Sequence, residues 1–177
     1  MSIIMAVFLV ILGIASRLLP HAANFTPVTA IALFASAYLG LRYSLVIFLA
    51  VMLVADAFIG FYSWQIMLAV YGSFALSSAI GFFLQKHKRA LPIFFGALGS
   101  SLLFFLITNW AVWQFGTLYS HTPAGLLESY VMALPFFKNS LAGDLFYSAV
   151  LFGVFELSRY FAARGAEKKA AARYRPT

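Results

Sequence analysis

Residues 65–110 read QIMLAVYGSFALSSAIGFFLQKHKRALPIFFGALGSSLLFFLITNW. Two apolar runs, 65–85 and 91–110, flank the basic cluster Lys86-His87-Lys88-Arg89. Each run has about the 20 residues an α-helix needs to cross a ~30 Å hydrocarbon core. The cluster between them is too strongly charged to lie in lipid. Lys and Arg beside a span collect on the cytoplasmic side. The stretch therefore reads as a transmembrane hairpin with its turn in the cytoplasm, and it orients the rest of the chain.

Composition extends this reading to the whole chain. Of 177 residues, 63% are hydrophobic and 10% charged, and mean hydropathy is +0.93. Soluble domains carry about 25% charged residues. The expected class is an all-α membrane protein with room for one bundle. Segment one runs from Ile3 to Leu19 and is stopped by Pro20. It has no preceding Lys or Arg and no clean small-residue cleavage site, so it reads as a retained helix. Segment two opens on Thr26-Pro27, a cap followed by a first-turn proline, and its apolar run stops at Leu41. About fifteen helical residues rise only ~22 Å. This short helix must start below the surface, thin the bilayer or be shielded by protein.

Segment three covers Ser44 to Tyr62, segment four Gln65 to Gln85 and segment five Leu91 to Trp110. A long connection, Ala111 to Lys138, precedes segment six, Asn139 to Phe161. Inside that connection Thr122-Pro123 repeats the cap-and-proline start. Leu126, Leu127, Tyr130, Val131 and Leu134 follow at helical spacing, with Pro135 as the stop. The expectation is an amphipathic outer helix between helices 5 and 6, lying on the outer face as a rim or lid, with Glu128 toward water. The whole reads as a six-transmembrane-helix bundle over 1–163, with a basic cytoplasmic tail over 164–177.

Six spans put both termini on one side. Arg42, Lys86, Lys88, Arg89, Arg159, Arg164, Lys168, Lys169, Arg173 and Arg175 then share that side, and only Arg17 and Lys138 lie opposite. This split implies cytoplasmic N and C termini, with the bundle in the cytoplasmic membrane. It also assigns the net charge of +7 to topology and lipid contact, not to nucleic acid. With no cysteine there is no disulfide, thiolate catalysis or Cys-ligated metal. No phosphate-cradling loop, nucleophile elbow or His-x3-His pair is present, so no enzyme, no cofactor and no metal site is expected. Asp56 and Asp144 lie at similar depth, but no flanking motif supports an aspartyl protease.

The polar residues with binding chemistry gather on the outer side. Asp56 and Asp144 lie inside apolar segments, where a carboxylate costs about 2.5–3.5 kcal/mol and seeks a partner. Arg17, His21 and Lys138 are the candidate partners, and either internal pairing or ligand binding fits. Arg17 could equally contact lipid phosphates. Asn24 and Thr26 either cap helix two or line a site, with Phe25 between them. Asn109 and Asn139 donate and accept. Trp64, Trp110 and Trp113 suit an interfacial aromatic belt or a stacking wall for a flat ligand. Ser73, Ser77 and Gly81, and likewise Gly96 and Ser100, recur at spacings that let helices approach closely. The similarity of Val-Ala-Asp56-Ala-Phe to Ala-Gly-Asp144-Leu-Phe is no inverted repeat, because both aspartates lie at the same depth.

Three motifs together resemble a known family. They are Arg17-x2-Pro20-His21-x2-Asn24-Phe25-x-Pro27, then Ala32-Leu33-Phe34, then an aspartate near the end of helix three. The later stretch Thr108-Asn109-Trp110 through Leu134-Pro135-Phe136-Phe137-Lys138-Asn139-x3-Gly143-Asp144 is similar to the same family. Its members are small bacterial membrane proteins described as transport proteins akin to the substrate-binding S components of energy-coupling factor (ECF) transporters. The resemblance covers most of residues 17 to 155. It implies six helices and an outward-facing pocket, with the loop between helices one and two helping to close it. It also implies a transmembrane coupling subunit with ATPases as partner. S components dock that partner through a small-residue stripe on helix one, where this chain has Ser2, Ala6, Val10 and Gly13.

The resulting expectation is a substrate-capture protein binding a vitamin-like small molecule or precursor. Its site would comprise Arg17, His21, Asn24, Phe25, Asp56, Trp64, Asn109, Trp110, Trp113, Lys138, Asn139 and Asp144. A ligand-free membrane scaffold and a stand-alone ion-coupled carrier are the alternatives. A deep outer cavity favours capture, filled space favours the scaffold, and a water path to the inner face favours the carrier.

Overall fold

A computed structural model describes the backbone of residues 2–173 and the side chains of 3–167. The described residues form six α-helices: α1 (Ser2–Leu18), α2 (Val28–Leu39), α3 (Leu41–Ile59), α4 (Trp64–Phe83), α5 (Ala90–Phe115) and α6 (Pro123–Arg173). A 3-10 turn, Leu84–Lys86, extends α4. No strand occurs among the described residues. Four helical stretches, Leu41–Ile59, Trp64–Lys86, Ala90–Phe115 and Pro123–Glu167, are long and apolar enough to cross a membrane. Ile3–Leu18 and Val28–Leu39 are apolar but shorter. The protein is a membrane-embedded helical bundle.

The short second helix is the centre of that bundle. α2 contacts each of the other five helices. These form an arc around it in the order α1, α3, α4, α5, α6, and α1 does not meet α6 among the described residues. Val28 to Ala37 are buried without a break. Of the three ways to accommodate a short helix, shielding by protein is the one this fold uses. Apolar side chains on every face suit a helix wrapped by neighbours. Leu9 of α1, Ile47 of α3, Ile93 of α5 and Phe152 of α6 pack with Ile31, Leu33 and Phe34 in one cluster.

Close crossings explain several small residues. A Cβ on Gly81 of α4 would collide with the Leu33 carbonyl oxygen and lie 2.9 Å from Leu33 Cα. Ser73, Ser77 and Gly81 are all buried, so the small-residue stripe does seat helices. Gly13 faces Val51 of α3, where a Cβ would come within 2.6 Å of a methyl, so it packs inside the bundle. Gly40 alone joins α2 to α3, and its φ of 98° is a value that favours glycine.

The basic cluster lies at one end of the bundle. Lys88 Nζ sits 4.5 Å from the Tyr38 ring centroid. The Tyr38 hydroxyl donates to Glu156, which Arg159 approaches at 3.3 Å. Gln85 Nε2 donates to the Ser36 carbonyl at 2.9 Å. The end of α2, the α4–α5 turn and the late part of α6 therefore meet, as the hairpin reading requires.

Two boundaries differ from expectation. α5 runs to Phe115, and the connection shrinks to residues 116–122. The expected amphipathic helix and segment six are one helix, with Pro135 inside it. Proline removes one backbone hydrogen bond but does not by itself end a packed helix. Phe105 of α5 stacks on Tyr130 at 5.5 Å and on Phe137 at 4.6 Å, one on each side of Pro135. The Tyr130 hydroxyl also donates to the Leu106 carbonyl at 2.9 Å. These contacts hold the helix to α5 through the proline. The segment is thus part of the wall, not a separate lid. At the other end α6 continues into the expected tail as far as Arg173, and residues 174–177 of that tail lie outside the described residues.

Candidate functional site

The end opposite the basic cluster gathers the last turn of α1, the loop 19–27, the end of α3, the start of α4, the end of α5 and the middle of α6. Arg17 forms an ion pair with Asp56, whose side chain is 1% exposed. Arg17 Nη1 also lies 3.0 Å from the Met52 sulfur, and Tyr71 donates to the second Asp56 oxygen at 2.8 Å. Arg17 Nε is buried without a partner. Burial, then the Asp56 charge, pushes the Tyr62 hydroxyl up to about 12 against the opposing pull of Arg17.

Asp144 is separate from that network. It is 3% exposed, and Ser101 Oγ of α5 donates to its Oδ2 at 2.5 Å. No salt bridge reaches it among the described residues. It lines a cavity of about 210 Å³ together with Arg17, His21, Asn24, Thr26, Thr29 and Ser140. Ile59, Val70, Phe74 and Phe104 form the apolar wall. A second cavity of about 250 Å³ adjoins it through Asn24, Val70, Phe104 and Ser140, and reaches Thr108 and Asn109. A third, apolar cavity between α5 and α6 at the basic end shares no lining residue with either.

The loop 19–27 borders the first cavity and is tied down on α6. Asn139 Nδ2 donates to the Ala23 carbonyl at 3.0 Å. The Phe25 ring packs 5.4 Å from Tyr147 and 6.1 Å from Phe146. Gly143 leaves the room, since a Cβ there would sit 3.3 Å from Phe25. Asn24 turns the chain at φ 62°, a left-handed value that asparagine tolerates better than most residues. Thr26 makes no cap bond; Pro27 holds the N-cap position and Thr26 lines the cavity. The parallel Thr122 does cap, accepting from the Gly125 amide at 3.2 Å.

Of the residues singled out from sequence, Arg17, His21, Asn24 and Asp144 meet at the first cavity, and Asn109 lines the second. Asp56 lies behind Arg17 and does not line the cavity. Phe25 and Asn139 fasten the loop. Trp64 and Trp110 are exposed, as an interfacial belt requires. Trp113 donates to the Ser120 carbonyl at 2.9 Å and pins the α5–α6 connection. Lys138 is exposed and lines neither cavity. Thr29, Ser101, Ser140, Phe74 and Phe104 were not anticipated. Ser140 stands one turn before Asp144 on the same helix face, a spacing that could have identified it.

Among the described residues, no group of three or more His, Asp or Glu is placed to hold a metal ion. The arrangement can hold a small molecule by one buried carboxylate, several neutral hydrogen-bonding groups and an aromatic wall. No curated protein and no solved structure matches the chain. A family model does match, over residues 1–166, and the chain belongs to this family of unknown function, DUF6580.

Proposed function

We propose that this protein captures a small molecule from the outer side of the cytoplasmic membrane, in the manner of an ECF S component. The observation that carries the reading is the cavity at one end of the bundle, holding the buried Asp144 carboxylate against an aromatic wall. Concave sites where several polar groups converge beside an apolar wall are where small ligands bind. All six helices cross the membrane, both termini are cytoplasmic, and the basic end faces inward. Uptake uses a transmembrane coupling subunit with ATPases, because the chain has no phosphate-cradling loop of its own.

The test is native mass spectrometry of the purified protein, with and without Asp144→Asn. A small molecule that co-purifies with the wild type and is lost in the variant is expected. Absence of any such molecule, with thermal stability unchanged across a vitamin and metabolite panel, would sink the reading. A reporter enzyme active only outside the cytoplasm, fused after Arg164, tests orientation; it is expected to be silent.

One observation favours a structural role for part of the set. Asp56 spends its oxygens on Arg17 and Tyr71. That network joins α1, α3 and α4, and its role is to hold the floor of the site.

A further inference from the structure

We infer that the ligand of this cavity is a small organic cation, which sets its charged nitrogen against Asp144 and an apolar flank against Phe74 and Phe104. The inference rests on the capture reading and adds the ligand's chemical class.

Charge bookkeeping around the cavity leads there. Arg17 is the one Lys or Arg among the lining residues, and its charge is matched by Asp56. Asp144 has no such match; its partners are the hydroxyls of Ser101 and Thr29, which donate one proton each and carry no charge. His21 Nδ1 sits 2.7 Å from the Leu19 carbonyl, in an exposed ring. The lining thus leaves one carboxylate uncompensated. A buried carboxylate without an opposite charge is strongly disfavoured and stays neutral by holding a proton; a ligand ammonium supplies the partner that lets it ionise.

Two other ligand classes fit less well. An anion would face the Asp144 carboxyl, and the Arg17 charge that could hold it is already balanced by Asp56. A bare metal cation needs a cage of about six oxygens. Here half the wall is hydrocarbon, and a volume of about 210 Å³ far exceeds the ~30 Å³ share of one water molecule. The Phe74 and Phe104 rings lie 5.2 Å apart at 38°. Aromatic faces attract organic cations and accommodate their carbon atoms as well.

Three probes with one ring and different charge test the class: benzylammonium, benzyl alcohol and benzoate. Each is titrated against the full chain in neutral detergent, following thermal unfolding and intrinsic fluorescence, with sodium and potassium chloride as ion controls. Benzylammonium is expected to stabilise the protein at concentrations at least about tenfold lower than benzyl alcohol, with no effect of benzoate. Asp144→Asn is expected to erase that preference, and Phe74→Leu to weaken benzylammonium several-fold while keeping the charge order. If Asp144→Asn does not fold, the charge series on the wild type and Phe74→Leu decides. Equal or stronger binding of the alcohol or benzoate would overturn the cation class and leave capture standing. A shift reproduced by sodium chloride alone would overturn it in favour of an ion site. If none of the three rings binds, the cation class falls, and the capture reading is decided by the co-purification test.

Discussion

Arg17 at the end of α1 and Asp56 near the end of α3 form a partly buried ion pair, completed by a hydrogen bond from Tyr71 of α4. Three helices are fastened at one point, behind the cavity. Removing one member of a buried pair strands the other charge and costs about 3–5 kcal/mol. Asp56→Asn is therefore expected to destabilise the protein strongly. Arg17→Met combined with Asp56→Asn should recover at least half of that loss, because no charge is stranded and asparagine still accepts from Tyr71. Denaturant unfolding of the single and double variants measures this. A double variant no better than Asp56→Asn alone would show that the pair is not the source of the loss.

Gly81 carries the α2–α4 crossing. A Cβ there would run into the Leu33 backbone and lie 2.9 Å from Ser36 Cβ. Backbone cannot rotate aside as a side chain can, so Gly81→Ala is expected to cost about 1–3 kcal/mol or more. Gly72 and Gly99 have open space at the same point, and alanine there should be neutral or mildly stabilising. Thermal unfolding of the three variants checks the contrast; a Gly81→Ala protein as stable as Gly72→Ala would refute the tight crossing.

The loop 19–27 is held on α6 by Asn139 and by the Phe25 ring. Asn139→Ala removes one neutral hydrogen bond, about 1 kcal/mol. That corresponds to roughly a fivefold rise in the open-loop population. If the loop gates the cavity, ligand release should accelerate by a similar factor with little change in global stability. Stopped-flow dissociation of a bound probe reports the rate. An unchanged rate would show that the loop is fixed scenery.

Much of this was legible in the sequence, and the residues show why. The hairpin around Lys86–Arg89 is marked by length and charge, which lipid enforces without reference to tertiary contacts. Arg17, His21 and Asn24 lie close together in sequence around one loop, so their meeting could be read locally. The role of α2 could be narrowed but not chosen, since burial by neighbours depends on the whole arc. Ser101 and Thr29 were invisible, because a serine or threonine gains meaning only when another helix brings a carboxylate to it. The division of labour between Asp56 and Asp144 was equally hidden: both are lone intramembrane acids, and only the fold gives one of them Arg17.

Pro135 is where local sequence was most misleading, and it yields a sharp prediction. Its ring deprives the Val131 carbonyl of the amide it would otherwise accept from, while Tyr130 and Phe137 stay docked on Phe105. In a helix interior proline is disfavoured by about 3 kcal/mol relative to alanine. Packing on α5 already holds the helix in place, so Pro135→Ala restores the backbone bond without needing to form a new interface. It is expected to raise stability by about 1–3 kcal/mol. The turn after Pro135 carries Phe136, Phe137 and Ser140 into the second cavity, and Asp144 follows one turn later in the first. Any change of helix path there should shift these groups relative to Asn24 and Phe104. Ligand binding is therefore expected to weaken while stability rises, two effects of opposite sign from one substitution. Unfolding and binding measured on the same sample separate them. Higher stability with unchanged affinity would show that the proline does not shape the site, and lower stability would show that the bundle requires the proline's geometry.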